Sequence, residues 1–155
     1  MLERTAYAIL AIILLAVTFW PGKSTLAHEG ATGVVKERMR MMKSMAEATK
    51  GTAEMLKGKI PMEATWIAGK AEAIAHDATK MVGLFPNGSL KHPSEALPAI
   101  WQESTRFRAL ATQLEANAKV LSSASMNGDK SAILSAFSKV AKTCKSCHSD
   151  FRKKK

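Results

Sequence analysis

Toward the end of the chain, apolar residues recur at Ile133, Phe137, Val140, Cys144, Cys147 and Phe151. The steps alternate four and three, the spacing that lines one face of an α-helix. No stretch of the 155 residues shows the period-two alternation of a half-buried strand. A single line of side chains therefore restricts the chain to helical solutions. It also places both cysteines on the face that turns inward.

Three further stretches repeat the pattern. The first runs from Gly33 to Lys57, with a stripe of Val35, Arg38, Met42, Met45, Thr49, Thr52 and Leu56. An arginine inside an otherwise inward-facing line stands out. The second runs from Pro61 to Leu84, with Ile67, Ala71, Ile74, Ala78 and Met81 in line and Trp66 beside them. Gly58 stops the one, and Pro61 suits the first turn of the other. The third starts near Pro98, carries Trp101, Ser104, Phe107, Leu110 and Leu114, and ends near Leu121. Asn127-Gly128 then turns the chain, and Asp129 or Ser131 is placed to cap the last helix. Aromatics are only 6% of residues while Ala and Met are plentiful, which also favours helix. Two short turns and one longer link through "FPNGSLKHPSEAL" predict an all-α, antiparallel four-helix bundle.

Residues 1–27 read differently. Arg4 precedes an uninterrupted apolar run from Ala6 to Trp20, and small residues at Thr25 and Ala27 suit cleavage before His28. That is a signal peptide, although Glu3 weakens its start; an uncleaved anchor is the alternative. The domain then spans 28–155 and works outside the cytoplasm, in the periplasm. The whole chain carries a net charge of +10, which favours acidic partners, and no nucleic-acid motif appears. Arg152-Lys153-Lys154-Lys155 reads either as an electrostatic handle for such a partner or as a frayed, solvated end.

Cys144-Lys-Ser-Cys147-His148 is C-x-x-C-H, and these are the only cysteines. On a helix, positions i, i+3 and i+4 share a face. Two thiols can then attach the two vinyl groups of one haem while the adjacent imidazole coordinates its iron from the same side. A structural zinc site needs about four ligands, and His28, His76 and His92 show no paired spacing. A thioredoxin-like dithiol expects strands around it. A disulfide across three residues of one helix would constrain little chain. Haem attachment is the expectation, with one covalently bound haem c. No nucleophile–base pair or carboxylate dyad points to an enzyme.

The motif near the C-terminus with its aromatic and basic run, "CKSCHSDFRKKK", is similar to that of class II c-type cytochromes, the cytochrome c′ family. So are "LFPNGS…ALPAIW" and "VKERMRMMKSM…KGKIPM", so that the resemblance covers the chain after the signal peptide. It implies an up-down-up-down bundle, for which cytochrome c′ is a standard example. It implies that Cys144 and Cys147 hold the haem, that His148 is the proximal iron ligand, and that Arg38 lies close to the haem. Arg152 then lies near the proximal face. Met42 falls at the distal position. Gas-binding members carry a non-ligating side chain there, leaving the iron open to nitric oxide or carbon monoxide. Low-spin members carry methionine, close the iron and transfer electrons. The resemblance thus implies His148/Met42 ligation and an electron carrier, with the gas-binding form as the alternative. Met45 shares Met42's face one turn on, and Met39 and Met41 are expected to point away. Met42 as a plain core methionine and Arg38 as a surface residue are the plainer alternatives. Trp66, Trp101 and Phe107 are expected to pack in the core. The resemblance leaves open a monomer or a dimer through the first two helices.

Overall fold

The computed structural model describes residues 30–154, so the segment read as a signal peptide lies outside the described residues. The described residues form α1 (Gly33–Leu56), α2 (Ala64–Met81) running into a 3₁₀ turn (Val82–Leu84), a short α3 (Ala99–Gln102), α4 (Ser104–Met126) and α5 (Lys130–Phe151). The four long helices make an antiparallel bundle. Among the described residues there is no strand, only an isolated bridge between Ala96 and Arg152.

The helix ends follow from their sequences. At the end of α1, Gly58 takes φ +70°, its N–H donates to Met55 O (3.0 Å), and Lys59 N–H donates back to Glu54 O (2.9 Å). This paired return needs a left-handed residue, which glycine supplies without strain. At the start of α5, Asp129 Oδ1 accepts from Ser131 N (2.8 Å) and Ala132 N (3.2 Å), so Asp129 is the cap. Two expected boundaries move. α2 begins at Ala64, three residues after Pro61. The third helix is broken at Glu103, whose backbone (φ −112°, ψ 41°) leaves the α region.

Ile67, Ala118, Leu121, Ile133 and Val140 are sealed at the centre, contributed by α2, α4 and α5. Each large one stabilises the fold by about 1.5–3 kcal/mol through burial. α1 lies closest to α2, where Trp66 covers Gly51 so tightly that a Cβ there would meet its ring at 2.5 Å. Elsewhere α1 stands off, and few of its residues approach α5.

The buried line on α1 differs from the expected one. It runs Val35, Arg38, Met41, Met45, Ala48, Thr52, Met55, while Met42, Thr49 and Leu56 are only partly covered. Periodicity identifies an apolar arc but not which edge of it meets protein. Met41, Ala48 and Met55 face the other helices; Met42 and Thr49 face a cavity.

Candidate functional site

Two cavities occupy the space where α1 and α5 stand apart. The larger, about 450 Å³, is lined by Met39, Met42 and Ala46 of α1, by Cys147, His148 and Phe151 of α5, and by the connection between α2 and α3. The smaller, about 260 Å³, reaches Cys144 and lies between Met42 and Met45 on one side and Leu110 and Leu114 on another. Met42, Ala46, Met81, Cys147 and His148 border both, so the cavities adjoin along that line. The walls are mostly apolar.

Each group the sequence singled out has a definite place. Cys144 and Cys147 are free thiols, partly buried on the cavity side of α5. Burial raises both pKa values, that of Cys147 to about 11, where the neighbouring Cys144 and Asp150 add to the effect. Both thiols are therefore protonated near neutral pH. Such thiols are sluggish in disulfide exchange and poor soft-metal ligands, which disfavours the redox-dithiol alternative. Among the described residues no three of His, Cys, Asp and Glu are grouped to hold a metal ion between them. His148 borders both cavities while keeping an exposed side. Burial of its inner side, and then the charge of Arg152, lower its pKa. The imidazole is thus biased to the neutral form that can ligate iron.

Met42, on α1, lines both cavities, as His148 does from α5. Met41 points away from Met42, but into the core, so that it and not Met42 belongs to the buried line. Met39 is a correction: it lines the larger cavity with Met42 instead of pointing away. Residues three apart share a helix face, so it belongs on that wall.

Arg38 is 5% exposed. Its guanidinium donates to Ser89 Oγ (3.1 Å) and Ser89 O (2.5 Å) and lies 4.4 Å above the centre of the Phe85 ring. Burial lowers its pKa from the usual arginine value. Arg38 lines the larger cavity, which rules out the plain surface reading. Ser89 and Phe85 were not foreseen as its partners. Their one sequence signal is "FPNGS", where the Asn87-Gly88 turn presents Ser89.

Phe107 meets Phe85 and Phe151 edge-to-face at 5.1 and 5.3 Å and forms part of the wall. Trp101 Nε1 donates to Phe85 O (2.9 Å), fixing the start of the α2–α3 connection. His76 and His92 are exposed and line neither cavity. The chain end is not frayed at its first residues. Leu97 N–H donates to Phe151 O (2.9 Å) and Lys153 N–H to Glu95 O (2.8 Å). Arg152 Nε donates to Glu95 Oε2 at 2.8 Å, with a second contact from Nη2.

The residues fit a haem c. A flat, largely apolar ring needs an apolar slot. Two thiols and an imidazole stand on one wall, a thioether on the other, and a buried guanidinium at the side suits a carboxylate.

Comparison with known proteins gives the same answer. Residues 33–152 match the family described as Cytochrome C′. The chain is 36% identical over 125 residues to cytochrome c′ of Rhodopseudomonas palustris, spanning 80% of this chain and 84% of that one. It is 33% identical over 124 residues to cytochrome c-556 of Agrobacterium tumefaciens, spanning 79% and 99%. The solved nitric oxide complex of a cytochrome c prime mutant from Alcaligenes xylosoxidans superposes with a TM-score of 0.71 at 29% identity, covering 79% of this chain and 94% of that one.

Proposed function

The chain belongs to the cytochrome c′ family, and on that premise we propose that it is an exported electron carrier whose iron is held between His148 and Met42. Membership carries one covalently attached haem c with its iron and the four-helix bundle. In the proposal Cys144 and Cys147 would hold the haem, His148 on α5 would ligate its iron, and Met42 on α1 would supply the second protein ligand. The observation that supports it is that Met42, on α1, lines both of the cavities that His148 borders from α5.

The haem supplies one-electron chemistry at its iron. The side chains hold, orient and exclude water. Phe85, Phe107 and Phe151 keep the larger cavity apolar. Arg38, fixed by Ser89, offers a cation to a haem carboxylate. No side chain makes or breaks a substrate bond, and the protein is not an enzyme on this reading.

Export rests on residues 1–27 as a signal peptide; no helix of the described residues is long and apolar enough to cross a membrane. The partner is an acidic redox protein. Lys139, Lys142 and Lys145 are exposed along the outer face of α5, beside the attachment motif, and Lys153 and Lys154 extend the basic surface. Such charge accelerates encounter with an acidic surface. The family resemblance is compatible with a monomer as well as with a homodimer through α1 and α2.

The second reading is a gas-binding protein with an open iron. It is favoured by the relatives' names, most of them cytochrome c′, and by the solved nitric oxide complex. One set of spectra separates the two. Haem resisting acid–acetone extraction is expected in either case. A low-spin spectrum with a ferric near-infrared methionine–iron band supports the carrier, and Met42→Ala then becomes high-spin and takes up carbon monoxide. A high-spin wild-type protein that binds carbon monoxide rapidly overturns it in favour of the second reading.

A further inference from the structure

Glu95 is the one acid among the described residues that line the larger cavity, which also carries Arg38, Lys43 and Arg152. Its carboxylate receives two N–H groups of Arg152. Both side chains are 41% exposed, and ion pairs so placed contribute only about 0–1 kcal/mol to stability. The chain end does not depend on the pair, because the backbone bonds Leu97 to Phe151 and Lys153 to Glu95 hold it already. The pair thus adds little to the fold that the backbone does not supply. Its position gives it another consequence.

We propose that Glu95 is a positioning residue for the electrostatics of the iron site: it fixes Arg152 at the rim of the larger cavity within a neutralised pair, and so sets the balance between ferric and ferrous states. The inference rests on the haem reading above. Reduction adds one electron to the iron. A nearby cation favours that step and a nearby carboxylate opposes it. Both effects are stronger beside an apolar cavity than in open water. Arg152 alone would push the reduction potential up, and Glu95 alone would push it down. Together they leave a rim less cationic than its arginines and lysine would make it.

The test is the midpoint potential of haem-loaded protein, with the melting temperature measured in parallel. Glu95→Gln keeps the shape and removes the charge, so the potential shifts upward. Arg152→Gln shifts it downward, and the double variant returns toward wild type. Glu115→Gln, in the exposed pair with Lys119 on α4, leaves it unchanged. Melting temperatures that fall while both single variants keep the wild-type potential overturn the proposal and leave the pair a purely structural role. An equal shift in Glu115→Gln also overturns it, since overall charge is then responsible. Where Glu95→Gln does not load haem, Glu95→Ala is measured in its place, an upward shift supporting the proposal and an unmoved potential overturning it. Wild-type protein without covalent haem overturns the underlying reading first, and is seen before any potential is measured.

Discussion

Replacing Arg38 by methionine tests how the site is held. The substitution keeps an unbranched stem of similar length and removes the charge and the donors. Two hydrogen bonds to Ser89 are lost; bonds made by charged groups contribute about 1.5–3 kcal/mol each. The contact over Phe85 at 4.4 Å is lost as well, worth about 0.5–2 kcal/mol. Against this, the guanidinium of a buried residue no longer has to be desolvated, which returns several kcal/mol. The balance is a net loss of about 1–3 kcal/mol. For a domain of this size that lowers Tm by about 4–11 °C. The loss should be local. Ser89 N–H, bonded to Pro86 O at 3.2 Å, should exchange faster with solvent, while the centre around Ile67 and Val140 is unaffected. Thermal melting with residue-resolved hydrogen exchange reads both. Arg38→Lys should recover part of the stability, since it restores charge but not the two-pronged donor. A Tm within a degree of wild type, with unchanged exchange at Ser89, would refute the view that Arg38 anchors the α2–α3 connection.

Other outcomes follow from single contacts. Gly51→Ala should destabilise the protein by about 0–2 kcal/mol in chemical denaturation: overpacking against Trp66 at 2.5 Å outweighs the gain in helix propensity. A stabilised variant would mean that the ring moves freely. Asp129→Ala should cost about 1 kcal/mol by losing the cap of α5, measured the same way. In haem-free chain the Cys147 pKa is raised above its unfolded value of 9.0, to about 11. The unfolded state therefore loses its proton first, and stability contributed by this thiol is complete below pH 9 and is lost as pH rises through 11. Alkylation of Cys147 should accordingly be slow at pH 8 and accelerate towards pH 11; rapid labelling at pH 8 would contradict the burial.

Much of the fold was legible because its signals are local. Gly58, Asn127-Gly128 and Asp129 mark helix ends through backbone chemistry that acts within a few residues. Cys144, Cys147 and His148 share a face by spacing alone. The parts that escaped depend on what lies across space. Periodicity put Met42 in the buried line and Met41 outside it, because an apolar arc does not reveal which edge meets a neighbouring helix and which a cavity. The same limit misplaced Met39. Ser89 and Glu95 hold the two arginines of the site from positions 51 and 57 residues away, and no pattern in the chain couples residues so distant. The break at Glu103 was likewise hidden within a continuous apolar stripe.

The α2–α3 connection grips both ends of the described bundle, Arg38 in α1 and Arg152 just after α5. Those are the bonds of greatest loop length described here, whereas α1–α2 and α4–α5 are hairpins of neighbouring helices. Closing a long loop must overcome more chain entropy before any contact rewards it. The hairpins can therefore assemble early and the connection last. In the interval Cys144 and Cys147 would already stand side by side on a formed helix while the strap across the larger cavity is still unfastened. On such an order of folding, a bulky ring would have its time to enter sideways before the connection closed over it.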